Sequence, residues 1–485
     1  MIRTYLPLSA LFLLLISIAT VFSQPAAPSP AETRAREIAQ LLTSGNRAEL
    51  QKYFEANFGE EMLKIPLNRH LGFFSSMHDQ TRGFEVVSVQ ESQPNSVTVL
   101  VKNRLTGEYD ALFVAVEAAA AAHKIARIGL REPKLPAAEN ARKLTEKDIA
   151  RELDAFVKKL VAADVFSGSV LLAKDGVPVY KAAFGTANKD FNAPNKIDTK
   201  FNLGSMNKMF TAVAIAQLVE KGKLSFEDPL SKFIPDFPDA ESAQKIKIKN
   251  LLSHTAGLGG YFSQRYQDTS RENLRTIDDM MKLAKQDEKL LFEPGAKWQY
   301  SNTGMLVLGK VIEIVSGQSY YDYVRENIYQ RAGMTNTDCY ELDKVNPNLA
   351  VGYDKQFSDT GVTFANNIFA HVMRGGPQGG GYSTVEDLLK FDRALRSNKL
   401  VGAEYVRTLT TAKPELNSPN YGYGFQVAGG WFGHSGGFPG INSNLRMYSG
   451  WTVAVMSNYS AGGQPVLQKM TKLIKLADES KLAKK

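Results

Sequence analysis

A serine placed three residues before a lysine can pair a nucleophile with its own base, and this chain carries that spacing at Ser205-Met206-Asn207-Lys208, within FNLGSMNKMF. The residues that follow, MFTAVAIAQLVEKG, are apolar nearly all round until Gly222, the pattern of a helix buried on most faces. Ser205 is then at or next to the helix N-terminus, with Lys208 one turn on and on the same side. Burial and the positive end of the helix dipole both disfavour a charged lysine there. A lysine with a depressed pKa can instead take the serine proton, and the helix N-terminus favours the alkoxide that develops. The plainer reading, Ser205 as a helix cap, stays open on spacing alone. A second copy, Ser242-Ala243-Gln244-Lys245, lacks the apolar helix and is followed by the charged KIKIKN.

Two later stretches could complete such a site. Tyr300-Ser301-Asn302, in FEPGAKWQYSNTGMLVLGKVIEIVSG, precedes a second apolar helix closed by Gly317. Alone it reads first as an N-cap, Asn302 or Thr303, with Tyr300 packed beside it as a staple. WFGHSGGFPG holds His434-Ser435-Gly436 and also a literal G-x-S-x-G, the nucleophile elbow of α/β-hydrolases. That fold needs a catalytic histidine after the serine and a helix directly behind it. No histidine follows His434, and the sequence continues Gly436-Gly437-Phe438-Pro439-Gly440, so the elbow reading fails. The six histidines form no H-x-H or H-E-x-x-H pair, and the single cysteine, Cys339, cannot build a thiolate site, so no metal is expected. No G-x-x-x-x-G-K-[ST] loop is present. The glycine-rich RGGPQGGGYSTVEDLLKF reads as a flexible loop shaping a cleft, ahead of a helix that starts near Ser383 or Thr384.

The elements around these residues divide the chain. Residues 1–23 carry one charge, Arg3, then an apolar run ending Val21-Phe22-Ser23, which reads as a cleaved signal peptide and implies a secreted or periplasmic protein, an uncleaved membrane anchor being the alternative. No later stretch is long and uncharged enough to span a bilayer. QPAAPSPAE (24–32) is a linker. Residues 33–133 open with two helical patterns and continue with four strand patterns, an α+β accessory unit. Residues 134–144 form a second linker. From 145 to 478, strands at both ends flank a largely helical middle, which one antiparallel sheet built from both termini would explain. Residues 479–485 are a basic tail. The net charge of +8 permits loose attraction to an anionic cell envelope, but the charges are scattered, and no interleaving of basic and aromatic residues points to nucleic acid.

Taken in order, SMNK, YSN and HSG resemble the penicillin-recognising serine hydrolases: class C β-lactamases, D-Ala-D-Ala carboxypeptidases, D-aminopeptidases and β-lactamase-like esterases. LLSHTAGL, FEPGAKWQYSNTG, GGGYSTVEDLLKF, YGYGF and HSGGFPG also look like stretches of that family, in its order. The element order of residues 33–133 resembles an NTF2-like cone. The resemblance implies an α/β fold, an antiparallel sheet flanked by helices beside a helical region, preceded by the small α+β unit. It implies that Ser205 forms an acyl-enzyme, that Lys208 and Tyr300 shuttle the proton, and that the backbone N–H groups of Ser205 and Gly437 form the oxyanion hole. Asn302, His434, Ser435 and Gly436 would then face the substrate, an ester- or amide-bearing small molecule or peptide, with no cofactor. His254, in LLSHTAGL, is expected to serve structure. The third motif departs from the Lys-Thr-Gly of β-lactamases. A neutral His434 holds a substrate carboxylate less well, which favours esterase or peptidase activity over β-lactam hydrolysis. The reading from another class is a non-catalytic protein using the same cleft to bind a peptide or cell-wall fragment.

Overall fold

A computed structural model of the chain describes residues 27–118, 122–136, 139, 142–287 and 289–477. The expected signal segment 1–23, residues 24–26 of the first linker, four residues of the second (137, 138, 140 and 141) and the tail 479–485 lie outside the described residues.

Helix α1 (Pro30–Ser44) starts inside the stretch expected to be linker. Ser29 Oγ accepts from Glu32 N at 3.2 Å, and Pro30 at the first helical position loses no hydrogen bond, so residues 30–32 belong to the helix. Helices α2 (Arg47–Asn57), α3 (Glu60–Leu63) and α4 (Leu67–Thr81) follow. The sequence reading passed over α4, whose Gly72 and paired serines carry little helix propensity. Its buried His70, Leu71, Phe74 and Met77 nevertheless recur with helical period, and packing overrides propensity. Strands β1 (Phe84–Gln93), β2 (Ser96–Asn103), β3 (Tyr109–Val116) and β4 (Ile125–Arg131) form an antiparallel sheet in chain order, closing one core with the helices.

After α5 (Glu146–Ala162), the second sheet uses both ends of the remaining chain. The hairpin β5 (Gly168–Lys174) and β6 (Val177–Phe184) turns at Asp175-Gly176, both at positive φ, as a two-residue hairpin loop needs. A separate hairpin, β7 (Tyr353–Ser358) and β8 (Gly361–Asn366), stands beside the accessory unit. The later strands are β9 (Gln426–Ala428), β10 (Trp431–Phe438), β11 (Ile441–Tyr448) and β12 (Trp451–Ser457), and the sheet order is β9-β10-β11-β12-β5-β6. Its two faces are both covered. Val170, Leu172, Val453 and Val455 pack on α5 and the last helix, α8 (Gly463–Ala477). Leu171, Ala173, Ala454 and Met456 face the helical region. Period-two alternation splits each strand between two cores, which is why β5 and β12 read as unbroken apolar runs.

Within the helical region, α6 (Asn207–Glu220) is buried from Asn207 through Leu218 and packs on α7 (Asn302–Ser316). Phe210 on α6 meets Phe391 at 4.9 Å and Tyr329 at 5.2 Å, both edge-on. The accessory unit is tied to this body by ion pairs: Asp79 with Lys355 on β7 at 2.6 Å, and Glu108 with Lys469 on α8 at 2.7 Å. Among the described residues, no helix is long and apolar enough to cross a membrane.

Candidate active site

Ser205 sits in a single 3₁₀ turn, Gly204–Met206, that runs straight into α6, and no side chain caps this helix start. The plain capping role for Ser205 therefore does not apply. The turn is fixed from two sides. Gly204 has φ +50, a conformation that favours glycine, and a Cβ on it would lie 3.0 Å from Gly437 N. A Cβ on Gly436 would lie 1.9 Å from Leu203 O, so only glycine lets strand β10 run this close to the serine turn. From the other side, the glycine-rich loop is pinned. Gly380 N donates to Gly204 O at 3.1 Å, Leu203 N to Gly381 O at 2.7 Å, and Thr211 Oγ1 to Pro377 O at 2.8 Å. The loop expected to be flexible is an ordered clamp on the start of α6.

Lys208 is fully buried. Its Nζ lies 3.1 Å from Ser205 Oγ, donates to Asn302 Oδ1 at 2.8 Å and donates to Gln378 O. No carboxylate is among these partners, and burial drives the lysine pKa well below its ordinary value. Asn302 Oδ1 and Gln378 O can only accept. An uncharged amine gives them its two hydrogens and turns its lone pair toward Ser205 Oγ. Tyr300 lies under the same nitrogen, 4.7 Å from Nζ to ring centroid. Burial raises its phenol pKa, and a hydrogen bond with Ser205 opposes that only in part. The two pKa values are pushed in opposite directions, which favours an uncharged amine and an un-ionised phenol beside Ser205.

The third motif lies on β10. The His434 ring is buried, and Nδ1 donates to Ser435 O at 2.6 Å, so Nε2 accepts from the Tyr421 hydroxyl at 2.9 Å. Burial lowers its pKa to about 3. The ring is neutral, both nitrogens are engaged, and it offers the cleft no free donor. Ser435 is held across the sheet by Gln426, whose Oε1 accepts from Ser435 N at 3.2 Å and whose Nε2 donates to Ser435 Oγ at 3.2 Å. Gly437 is exposed. The structure thus gathers Ser205, Lys208, Tyr300, Asn302, Gly436 and Gly437 at one place, while the imidazole of His434 points to Tyr421. The second Ser/Lys copy is elsewhere: Ser242 Oγ donates to Asp239 Oδ2, and Lys245 pairs with Glu241. Among the described residues, no group of three His, Cys, Asp or Glu side chains is placed to hold a metal.

His254 braces Tyr300. It has φ +61, its backbone oxygen accepts from Gln299 N at 2.9 Å, and its Nδ1 accepts from Ser301 N at 3.2 Å. The ring packs on Tyr300 at 4.5 Å and Tyr421 at 4.6 Å. Backbone and ring therefore grip the chain on both sides of Tyr300. His254→Phe keeps the ring but leaves the buried Ser301 N–H without an acceptor, whereas His254→Asn keeps an acceptor and tolerates positive φ. We expect the Phe variant to lose about tenfold or more in kcat, with the Asn variant recovering most of it. Steady-state kinetics on both variants checks this.

Residues 153–477 match the family described as Beta-lactamase. The chain is 32% identical over 292 residues to the Bacillus subtilis (strain 168) protein PbpX, described as a penicillin-binding protein, covering 60% of this chain and 70% of that one. A penicillin-binding protein from Bacillus halodurans is similar in structure, with TM-score 0.58 and 31% identity, over 64% of this chain and 98% of its own. The D-amino acid amidase of Ochrobactrum anthropi SV3 shares the fold, with TM-score 0.57 and 22% identity, over 69% of this chain and 99% of its own.

Proposed function

We propose, for a chain that belongs to the Beta-lactamase family of serine hydrolases, that Ser205 forms an acyl-enzyme with an ester or amide substrate. The observation that carries this reading is the setting of Lys208: a fully buried amine with no carboxylate partner, whose Nζ lies 3.1 Å from Ser205 Oγ and donates to Asn302 Oδ1 and Gln378 O. The Ser205 hydroxyl proton passes to Lys208 Nζ as Oγ bonds the carbonyl carbon, and the carbonyl π electrons move onto oxygen. The N–H groups of Ser205 and Gly437 receive that oxyanion, which supplies several kcal/mol in hydrolases of this kind. The proton then reaches the leaving nitrogen or oxygen through the Tyr300 hydroxyl as the scissile bond breaks. Water, deprotonated by the same pair, releases the acid. Asn302 holds Lys208 through Oδ1, and Ser435 and Gly436 line the strand beside the acyl group.

The chemistry matches an esterase, a D-aminopeptidase or DD-peptidase, or a slow β-lactamase. The neutral, engaged His434 supports the ranking, because a β-lactam carboxylate finds no cation at the third motif. The amphiphilic leader at residues 1–23 supports export to the periplasm or medium, with any envelope contact loose. A panel of p-nitrophenyl esters, D-amino acid amides and nitrocefin tests the reading. We expect clear turnover of short-chain esters and slow turnover of nitrocefin. Nitrocefin hydrolysis as fast as that of the esters would reverse the ranking.

A further inference from the structure

Beyond Gly437, the cleft is walled by aromatic rings from distant parts of the chain. Alternation along β10 places His434, Gly436 and Phe438 on one face, the face that meets the Ser205 turn at Gly436. Phe438 therefore lies on the same face, two residues past Gly436, the glycine that abuts the serine turn. Facing it is Phe262, from the loop that follows His254. The two rings stack on each other at 6.1 Å with their planes 27° apart. Phe262 is 46% exposed although Tyr261 and Tyr266 pack behind it at 4.8 and 5.0 Å. His371 closes the far side, its ring 5.5 Å from Phe438, and burial lowers its pKa to about 4, so it is uncharged at neutral pH. Asn367 Nδ2 donates to Pro439 O at 2.8 Å, tying the 367–371 turn to the end of β10. Phe369 on that turn is 87% exposed. A fixed apolar wall held open to solvent at the edge of a reactive serine is costly unless something apolar covers it.

The order of groups along β10 fixes which part of a substrate meets this wall. Tyr300, which delivers the proton to the leaving group, lies at the His434 end, with ring centroids 6.2 Å apart. The leaving group departs toward that end, and the substituent on the acyl carbon extends the opposite way, past Gly437 toward Phe438. We propose that Phe262 and Phe438, with His371 beside Phe438, form an acyl-side subsite selecting substrates whose acyl group carries an uncharged aromatic or bulky apolar side chain. This rests on the acyl-enzyme reading above. Edge or offset contact with the two rings recognises such a group, and a small acyl group leaves the wall wet.

The test compares p-nitrophenyl 3-phenylpropanoate with p-nitrophenyl acetate, which share a leaving group and differ only on the acyl side. For the unaltered protein, kcat/KM should favour the phenylpropanoate by about tenfold or more, the discrimination an apolar pocket achieves. In Phe262→Ala/Phe438→Ala the ratio should fall to within about threefold of unity. Phe191→Ala, removing a ring that is 82% exposed elsewhere, should leave the ratio as it was. Should the double variant melt early, Phe262→Ala alone, on an exposed loop, and Phe438→Leu are read instead, each lowering the ratio. Equal kcat/KM for the two esters, or a preference that survives in the double variant, overturns the subsite while labelling of Ser205 by a fluorophosphonate keeps the acyl-enzyme reading. Absence of both turnover and labelling overturns the two together.

Discussion

Ser205→Ala is expected to lower kcat for ester hydrolysis on the order of 10⁴- to 10⁶-fold, the scale at which a covalent nucleophile is lost. The fold should scarcely register the change. Ser205 Oγ caps no helix, and its hydrogen bonds are with Lys208 and Tyr300. Each is worth about 1 kcal/mol, so the melting temperature should move by no more than about 4–8 °C. Stopped-flow or steady-state assays beside a calorimetric scan separate the two readouts. A loss of activity matched by a loss of stability would place Ser205 in the scaffold instead.

Lys208→Met is the second large effect, and it has a signature beyond rate. Removing a general base costs about 100- to 10,000-fold. The base works only when uncharged, so activity in the unaltered protein is full above the depressed Lys208 pKa and falls as pH drops through it. His434, at about 3, adds no limb between pH 5 and 8, and burial moves His254 downward, away from neutrality. Tyr300, raised by burial, adds none on the alkaline side near neutrality. The same shift appears in stability. Between the folded-state pKa and 10.5, the unfolded chain binds a proton at Lys208 that the folded chain does not. Stability contributed by this group therefore rises with pH across that window. Methionine binds no proton in either state, so the variant lacks that slope. Urea melts of both proteins at pH 7, 8 and 9 should diverge, and parallel curves would contradict a depressed lysine.

What the sequence made legible here follows from what carries a side-chain signature. Ser205 and Lys208 stood out because polar groups were set at the start of a helix apolar nearly all round, and Tyr300 because it precedes a second apolar helix; helix capping was the plainer reading of each stretch until the three motifs were taken in order. Strands β5 and β12 were visible as apolar runs, and their union in one sheet followed from their places at the two ends of the domain. Gln378 was invisible as a Lys208 partner because it acts through its backbone oxygen, which any residue has. The Gly-rich loop around it looked mobile for the same reason that it is useful: without side chains it can lie against Gly204. The burial of His434 could not be foreseen, since it depends on Tyr421 arriving from another strand end. Pairing of Phe262 with Phe438 is likewise a tertiary fact, joining a loop to the end of β10 that no local pattern connects.

The most direct test of the central claim is peptide-level mass spectrometry after brief exposure to a fluorophosphonate and, separately, to an ester quenched in acid. A covalent adduct confined to the peptide that holds Ser205, and absent from Ser205→Ala, is the predicted result. An unmodified Ser205 peptide in the unaltered protein, or an adduct that persists in the alanine variant, would contradict it.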